Sequence, residues 1–215
     1  MAVEPPHYDI SAALRQVALA AHDGNTEVLS SHLDSGEEVV RAAAVRGLWE
    51  CTHGDPTDPQ AVLLMLHEFV GKERATHVLV AVGETFATRH GKICEVLLDH
   101  EDTRVVEAGC FAAAQLAPSA NHLVGRLEAL ASTHEDDLVR ESAIAALGAY
   151  GLPRSTSIVI AATSDKVYVR RRAIVALSAF EGEDVEEALR AATADRDAQT
   201  RALAEDILRA GSLEG

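Results

Sequence analysis

Two stretches decide the fold of this chain: DDLVRESAIAALGAY at residues 136–150 and DKVYVRRRAIVALSAF at residues 165–180. Laid over one another, Val139, Ala143, Ile144, Leu147 and Tyr150 fall on Val169, Ala173, Ile174, Leu177 and Phe180, each pair 30 residues apart. The spacing i, i+4, i+5, i+8, i+11 gathers most of these side chains onto one helical stripe, because 3.6 residues complete a turn. An amphipathic helix that recurs at a fixed interval signals a repeat array.

The pattern extends in both directions. Val40, Ala44, Val45, Leu48 and Cys51 repeat it without a gap, and Val106, Cys110, Phe111, Ala114 and Ala117 repeat it with smaller residues. Ala75, Leu79, Val80, Gly83 and Phe86 form a degenerate copy. Thr200, Ala204 and Leu208 form a last one, where Glu205 replaces the expected aliphatic and Glu205-Asp206 suggests a polar cap. Ile10, Leu14 and Val17 read as an incomplete first copy. The seven anchors, Ile10, Val40, Ala75, Val106, Val139, Val169 and Thr200, are separated by 30, 35, 31, 33, 30 and 31 residues.

Between the copies lie shorter apolar segments at 27–33, 60–70, 93–98, 122–131, 157–162 and 185–192. Breakers such as Asp23-Gly24, Pro118 and Gly151-Leu152-Pro153 separate them. Asp136, Asp165 and Asp197 precede the longer helices, where a carboxylate caps free N–H groups. A hairpin this small cannot hide its apolar stripe alone, but a stack of hairpins can. The expected fold is all-α: a right-handed α-α superhelix of about six helical hairpins plus an N-terminal helix. It forms one domain over 1–215, with repeats at 9–23, 24–53, 58–90, 91–118, 119–151, 153–181 and 183–211.

Composition narrows the function classes. With 19 Lys and Arg against 34 Asp and Glu, the formal charge is −15. Such a surface repels phosphate backbones and anionic headgroups, so nucleic acid and membrane are disfavoured and a basic protein partner fits better. Cys51, Cys94 and Cys110 are odd in number and make no C-x-x-C, which argues against a disulfide framework. The opening MAVEPPHYDI has no basic-then-apolar pattern and no stretch reaches the length of a membrane span; a cytoplasmic setting is expected. A monomer suffices for this reading, and the oligomeric state is open.

The strings VVRAAAVRGL (39–48), LVRESAIAALGAYG (138–151) and VRRRAIVALSAF (169–180) resemble HEAT repeats, and more narrowly the short prokaryotic kind of phycobilisome-lyase-type HEAT proteins. The resemblance covers about residues 10–210. It implies a binding scaffold, and that an acid before each longer helix pairs with the Arg after the anchor. By that rule Glu37 pairs with Arg41, Asp136 with Arg140, Asp165 with Arg170 and Asp197 with Arg201, as a structural ladder. The copy at Val106 departs, with Glu107 where Arg is expected.

No catalytic set emerges. His67-Glu68, His100-Glu101 and His134-Glu135 are similar in type to the His-Glu motifs of deoxyhypusine hydroxylase, a di-iron HEAT enzyme. Two of the three pairs, however, fall in turns strung along one edge, roughly 10 Å apart and too far to share a metal. Cys51-Thr-His53 offers soft ligands, but Cys51 and Cys110 sit on the stripe as small hydrophobes. Arg170-Arg171-Arg172 is the one basic cluster, unlike the basic groove of HEAT-like alkylpurine DNA glycosylases. Neither metal nor cofactor is expected.

In HEAT-type solenoids the longer helix of each pair lines the concave side. Positions two, six and nine after each anchor then face a partner. They select Ala42, Arg46 and Trp49; His77, Ala81 and Glu84; Ala108, Ala112 and Gln115; Glu141, Ala145 and Gly148; Arg171, Val175 and Ser178. Arg46, Trp49, His77, Glu84, Gln115, Glu141 and Arg171 are the candidate partner-binding residues, and the intervening Ala and Gly would permit close approach. The leading expectation is a non-enzymatic scaffold or adaptor. Alternatives are a lyase-like subunit or chaperone for a cofactor-bearing protein, an immunity-type inhibitor of a basic protein and, disfavoured, a His-Glu di-iron hydroxylase.

Overall fold

The structure, a computed structural model, describes residues 9–51 and 76–211, with His77 placed by its backbone alone. The segment at 60–70, the anchor Ala75, His53 and His67-Glu68 therefore lie outside the described residues. Among those described, all regular structure is helical: α1 (Ile10–His22), α2 (Thr26–Ser31), α3 (Glu38–Cys51), α4 (Thr76–Glu84), α5 (Gly91–Leu98), α6 (Thr103–Gln115), α7 (Val124–Thr133), α8 (Asp137–Tyr150), α9 (Thr156–Ala162), α10 (Val167–Leu177), α11 (Glu183–Ala192) and α12 (Ala198–Gly211), with three short 3-10 turns.

Local chemistry sets the boundaries. Asp9, Asn25, Asp102 and Asp136 each give a side-chain oxygen to a backbone N–H in the first turn of α1, α2, α6 and α8, and Asp197 does so for α12 at 2.8 Å from Thr200 N. Each cap of this kind is worth ~1 kcal/mol. At the far end of α8, Gly151 takes the left-handed conformation (φ +58°) that closes a helix, and Pro153 begins the next turn.

The helices stack in two rows, as a solenoid. Long helices α1, α3, α4, α6, α8, α10 and α12 each pack along the next, while α2, α5, α7, α9 and α11 form the outer row, each against its own hairpin partner. One apolar core runs from Ala42 to Ala204, and a smaller one joins α1, α2 and α3 around Val17, Leu29 and Val40. Across it the Tyr150 hydroxyl donates to Ala120 O at 3.2 Å. In α8 and α10 the whole expected stripe is buried: Val139, Ala143, Ile144, Leu147, Tyr150 and Val169, Ala173, Ile174, Leu177, Phe180.

Two copies are read one residue late from sequence. In α6 the buried set is Val105, Gly109, Cys110 and Ala113, whereas Phe111 is 48% exposed. In α4 it is Val78, Leu79 and Val82. The small residues have a different role from the one expected as well. Ala42, Ala81, Ala108 and Ala112 are buried between helices, and of the four only Ala108 reaches the lining of a surface hollow. A Cβ added to Gly83 would stand 2.6 Å from Ala108 Cβ, and one on Gly148 would stand 2.9 Å from Ala176 Cβ. These glycines let neighbouring long helices touch backbone to backbone.

Candidate functional site

The exposed face of the long-helix row is built from one repeat position, six after each corrected anchor. It carries Arg46 on α3, Val80 on α4, Phe111 on α6, Ala145 on α8 and Val175 on α10. Phe111 (48% exposed) and Val175 (41% exposed) are large apolar side chains left in water at matching places in the array. A hollow of about 520 Å³ opens among Val80, Glu84, Arg104, Glu107, Ala108, Phe111 and Ser142. A second, of about 240 Å³, follows among Ala145, Gly148, Ala149, Arg172, Val175, Ala176, Ser178 and Ala179.

Most charges on this face are already neutralised. Arg46 meets Glu84 at 2.7 Å across α3 and α4, Arg172 meets Glu141 at 3.1 Å across α10 and α8, and Arg171 meets Asp197 at 2.7 Å with its guanidinium 5.8 Å from the Tyr168 ring centroid. Each member of the 170–172 cluster thus has its own carboxylate. Glu107 does not: among the described residues it has neither hydrogen-bond nor ion-pair partner. Burial first, then the charges of Asp136, Glu141 and Asp102, push its carboxyl above the usual range, with only Arg104 opposing. Arg104 is itself engaged by Asp102 at 3.3 Å.

The sequence-selected residues divide accordingly. Arg46, Glu84, Glu141 and Arg171 form inter-helix ion pairs on the row, and Gln115 is exposed at the end of α6. Trp49 is half-buried, its ring edge-on to Phe86 at 5.3 Å between centroids, with the Arg89 guanidinium 5.1 Å from its centroid. His77 stands on α4. The residues that sequence reading missed are Glu107 and Phe111. Aligning Asp102-Thr103-Arg104-Val105 on Asp136-Asp137-Leu138-Val139 would have found them.

The arginine ladder has a geometry of its own. Arg140 forks onto Asp165 of the next turn (Nε–Oδ2 2.7 Å, Nη2–Oδ1 2.8 Å), and its Nη1 donates to the His134 and Glu135 carbonyls. Arg170 forks onto Asp195 (3.0 Å for both bonds), with Nη1 on Asp165 O. Arg201 and Arg41 keep the carbonyl arm, onto Asp195 O and Ser35 O. The carboxylate therefore comes from 25 residues downstream, and the pairings of Asp136 with Arg140 and Asp165 with Arg170 are replaced. Asp136 caps its own helix, Asp197 caps its helix while taking the fork of Arg171, and Glu37 joins its turn through its backbone N–H to Ser35. Arg140 holds Asp165, and Arg170 holds Asp195, below the usual carboxylate range. With the register corrected, the residue in the Arg place of α6 is Val106.

The turn histidines are structural. His100 Nδ1 and His134 Nδ1 accept the backbone N–H of Asp102 and Asp136 at 2.9 and 3.1 Å. Asp195 Oδ1 does the same for Asp197 at the equivalent place. Cys94 Sγ lies 3.2 Å from Gly109 O, and burial pushes its thiol up to about 12. No three His, Cys, Asp or Glu side chains gather as a metal site, and no helix is long and apolar enough to cross a membrane, among the described residues.

The family model of HEAT repeats matches residues 126–209. A comparison with curated proteins finds no match. Among solved structures, the crystal structure of an engineered protein is similar at 16% identity and a TM-score of 0.54, over 89% of this chain and 98% of that one. Human deoxyhypusine hydroxylase in complex with glycerol aligns at 20% identity and a TM-score of 0.48, over 94% of this chain and 81% of that one. At such identities the likeness concerns fold alone.

Proposed function

We propose that this chain, a helical-repeat scaffold whose residues 126–209 are HEAT repeats, is a non-enzymatic adaptor that holds a segment of another protein along its long-helix row. The observation that carries this reading is the pair Phe111 and Val175, large apolar side chains exposed at one repeat position beside two hollows. Apolar surface aligned in a groove and rimmed by charge is what peptide-binding faces offer. The partner segment is basic, since the chain carries −15 and the face keeps an unneutralised acid. The setting is cytoplasmic, in keeping with the buried thiols of Cys94 and Cys110.

A photo-reactive residue at Ala145, inside the row, should cross-link a discrete partner in the native cell. The same residue at Ala161, exposed on the outer α9, should not. Equal cross-linking from both positions would remove the long-helix row as the binding face.

A further inference from the structure

The hollow between α4, α6 and α8 has a floor and a wall of opposite character. Val80, Ala108 and Phe111 supply an apolar surface, and Glu107 stands beside it with no hydrogen-bonded or ion-paired cation among the described residues. The neighbouring charges leave that acid unanswered. Asp102, Asp136 and Glu141 are all negative, Glu84 is engaged by Arg46, and Arg104 is held by Asp102. A half-buried carboxylate among like charges gains from any cation brought to it, and gains more than a solvated one because the local dielectric is lower.

We propose that this hollow is the anchor pocket for one arginine side chain of a basic protein segment, its stem and guanidinium plane lying on Phe111 and its fork reaching Glu107. The inference rests on the scaffold reading above and names the residue class that the central part of the face selects. Arginine suits the pocket better than lysine. Its planar group stacks on an aromatic face while presenting two parallel donors to a carboxylate, whereas an ammonium keeps its hydration shell. Phosphate-bearing partners are turned away by the same four acids. The second hollow, around Val175, lacks a free acid and accepts an apolar residue of the same segment.

The test uses labelled peptides of alternating Arg-Leu, Lys-Leu and Glu-Leu, with fluorescence anisotropy on the full chain. The Arg-Leu peptide should bind more tightly than Lys-Leu, and Glu-Leu should not bind. Glu107→Gln should weaken the Arg-Leu peptide about tenfold or more, the worth of one charge-assisted hydrogen-bond pair. Phe111→Ser, a change at an exposed position, should narrow the preference for Arg over Lys. Glu183→Gln, on outer helix α11, removes the same net charge and should change affinity less than about threefold. Equal losses from Glu107→Gln and Glu183→Gln would reduce the binding to diffuse charge and overturn the pocket. No Arg-Leu binding at millimolar peptide would overturn it also, as would a wild-type dimer that Phe111→Ser dissociates, since a second copy would then be the occupant. If Ala145 still cross-links a partner while Glu107→Gln is silent on peptide, the scaffold stands and the arginine pocket falls.

Discussion

The junction between α8 and α10 and the junction between α6 and α8 are built from the same repeat but fastened differently. At the first, Arg140 spans to Asp165 with two bonds and ties its own turn with two more; at the next junction Arg170 spans to Asp195 with two bonds and ties its turn with one. At the second, the equivalent position is Val106, as buried as Arg170 but unable to bond. The difference shows that α6 and α8 stack without a forked arginine, which the two junctions that follow both carry. It also places the unpartnered Glu107 in the part of the row where no rung holds neighbouring turns together.

The largest effect should come from cutting a rung. Arg170 has a side chain only 5% exposed, so Arg170→Ala leaves Asp195 without its partner in a nearly closed site. A loss of about 3–5 kcal/mol is expected, read from urea unfolding. A loss under 1 kcal/mol would erase the distinction between the two junctions. Next are the close approaches, which both regions share. Gly83→Ala and Gly148→Ala should each cost about 1–3 kcal/mol by overpacking, with Gly83 at least as sensitive because its Cβ would meet Ala108 at 2.6 Å. A harmless Gly83→Ala would mean the central helices can part freely.

A third experiment builds the missing rung. His134 occupies in its turn the place of Asp195, so Val106→Arg with His134→Asp recreates the Arg170 arrangement. Either change alone should destabilise. Together they should recover about 1–2 kcal/mol of coupling in a double-mutant cycle, and simple additivity would show that burial rather than register prevents the rung.

Acid sharpens the contrast with the smallest effect. The folded-state carboxyls of Asp165 and Asp195 are lowered by their arginines, so their stabilisation is present above the ordinary carboxylate range and is lost as pH falls through the folded values. Glu107 is raised, so its contribution is present below that range and is lost as pH rises through the folded value. Glu107→Gln should therefore raise Tm at neutral pH, by on the order of 1–2 °C, and make no difference once the wild-type acid is protonated. Hydrogen exchange at matched intrinsic rates should show 137–192 loosening with acid before 103–115 does.

What was legible followed from the size of the side chains. Ile144, Leu147, Ile174 and Leu177 contrast strongly with their charged neighbours, so α8 and α10 could be placed to the residue. In α6 the run Ala108-Gly-Cys-Phe-Ala-Ala-Ala offers no such contrast, and the largest side chain, Phe111, was drawn into the stripe although it faces water. That slip hid Glu107 and turned buried alanines into supposed contact residues. The capping aspartates mark register more firmly than hydrophobicity does in such a stretch, because a cap must sit at the helix start whatever follows. The rung acids were beyond reading, since their partner is set by how one hairpin lies on the next. Trp49, a natural candidate for a partner anchor, instead packs on Phe86, a neighbour fixed only by the stacking of α3 on the turn after α4.

Gly83 on Ala108 and Gly148 on Ala176 each omit a methyl group from one side of the stack only. Shortening one row of a two-row wall while the other keeps its ordinary thickness makes the wall bow, much as a strip of paired metals does. The distance between neighbouring long helices, and so the room along their row, is set at these two places by hydrogen atoms standing where other residues would carry carbon. A variant with alanine at Gly83, which lines neither hollow, should hold α4 and α6 further apart and favour a bulkier guest.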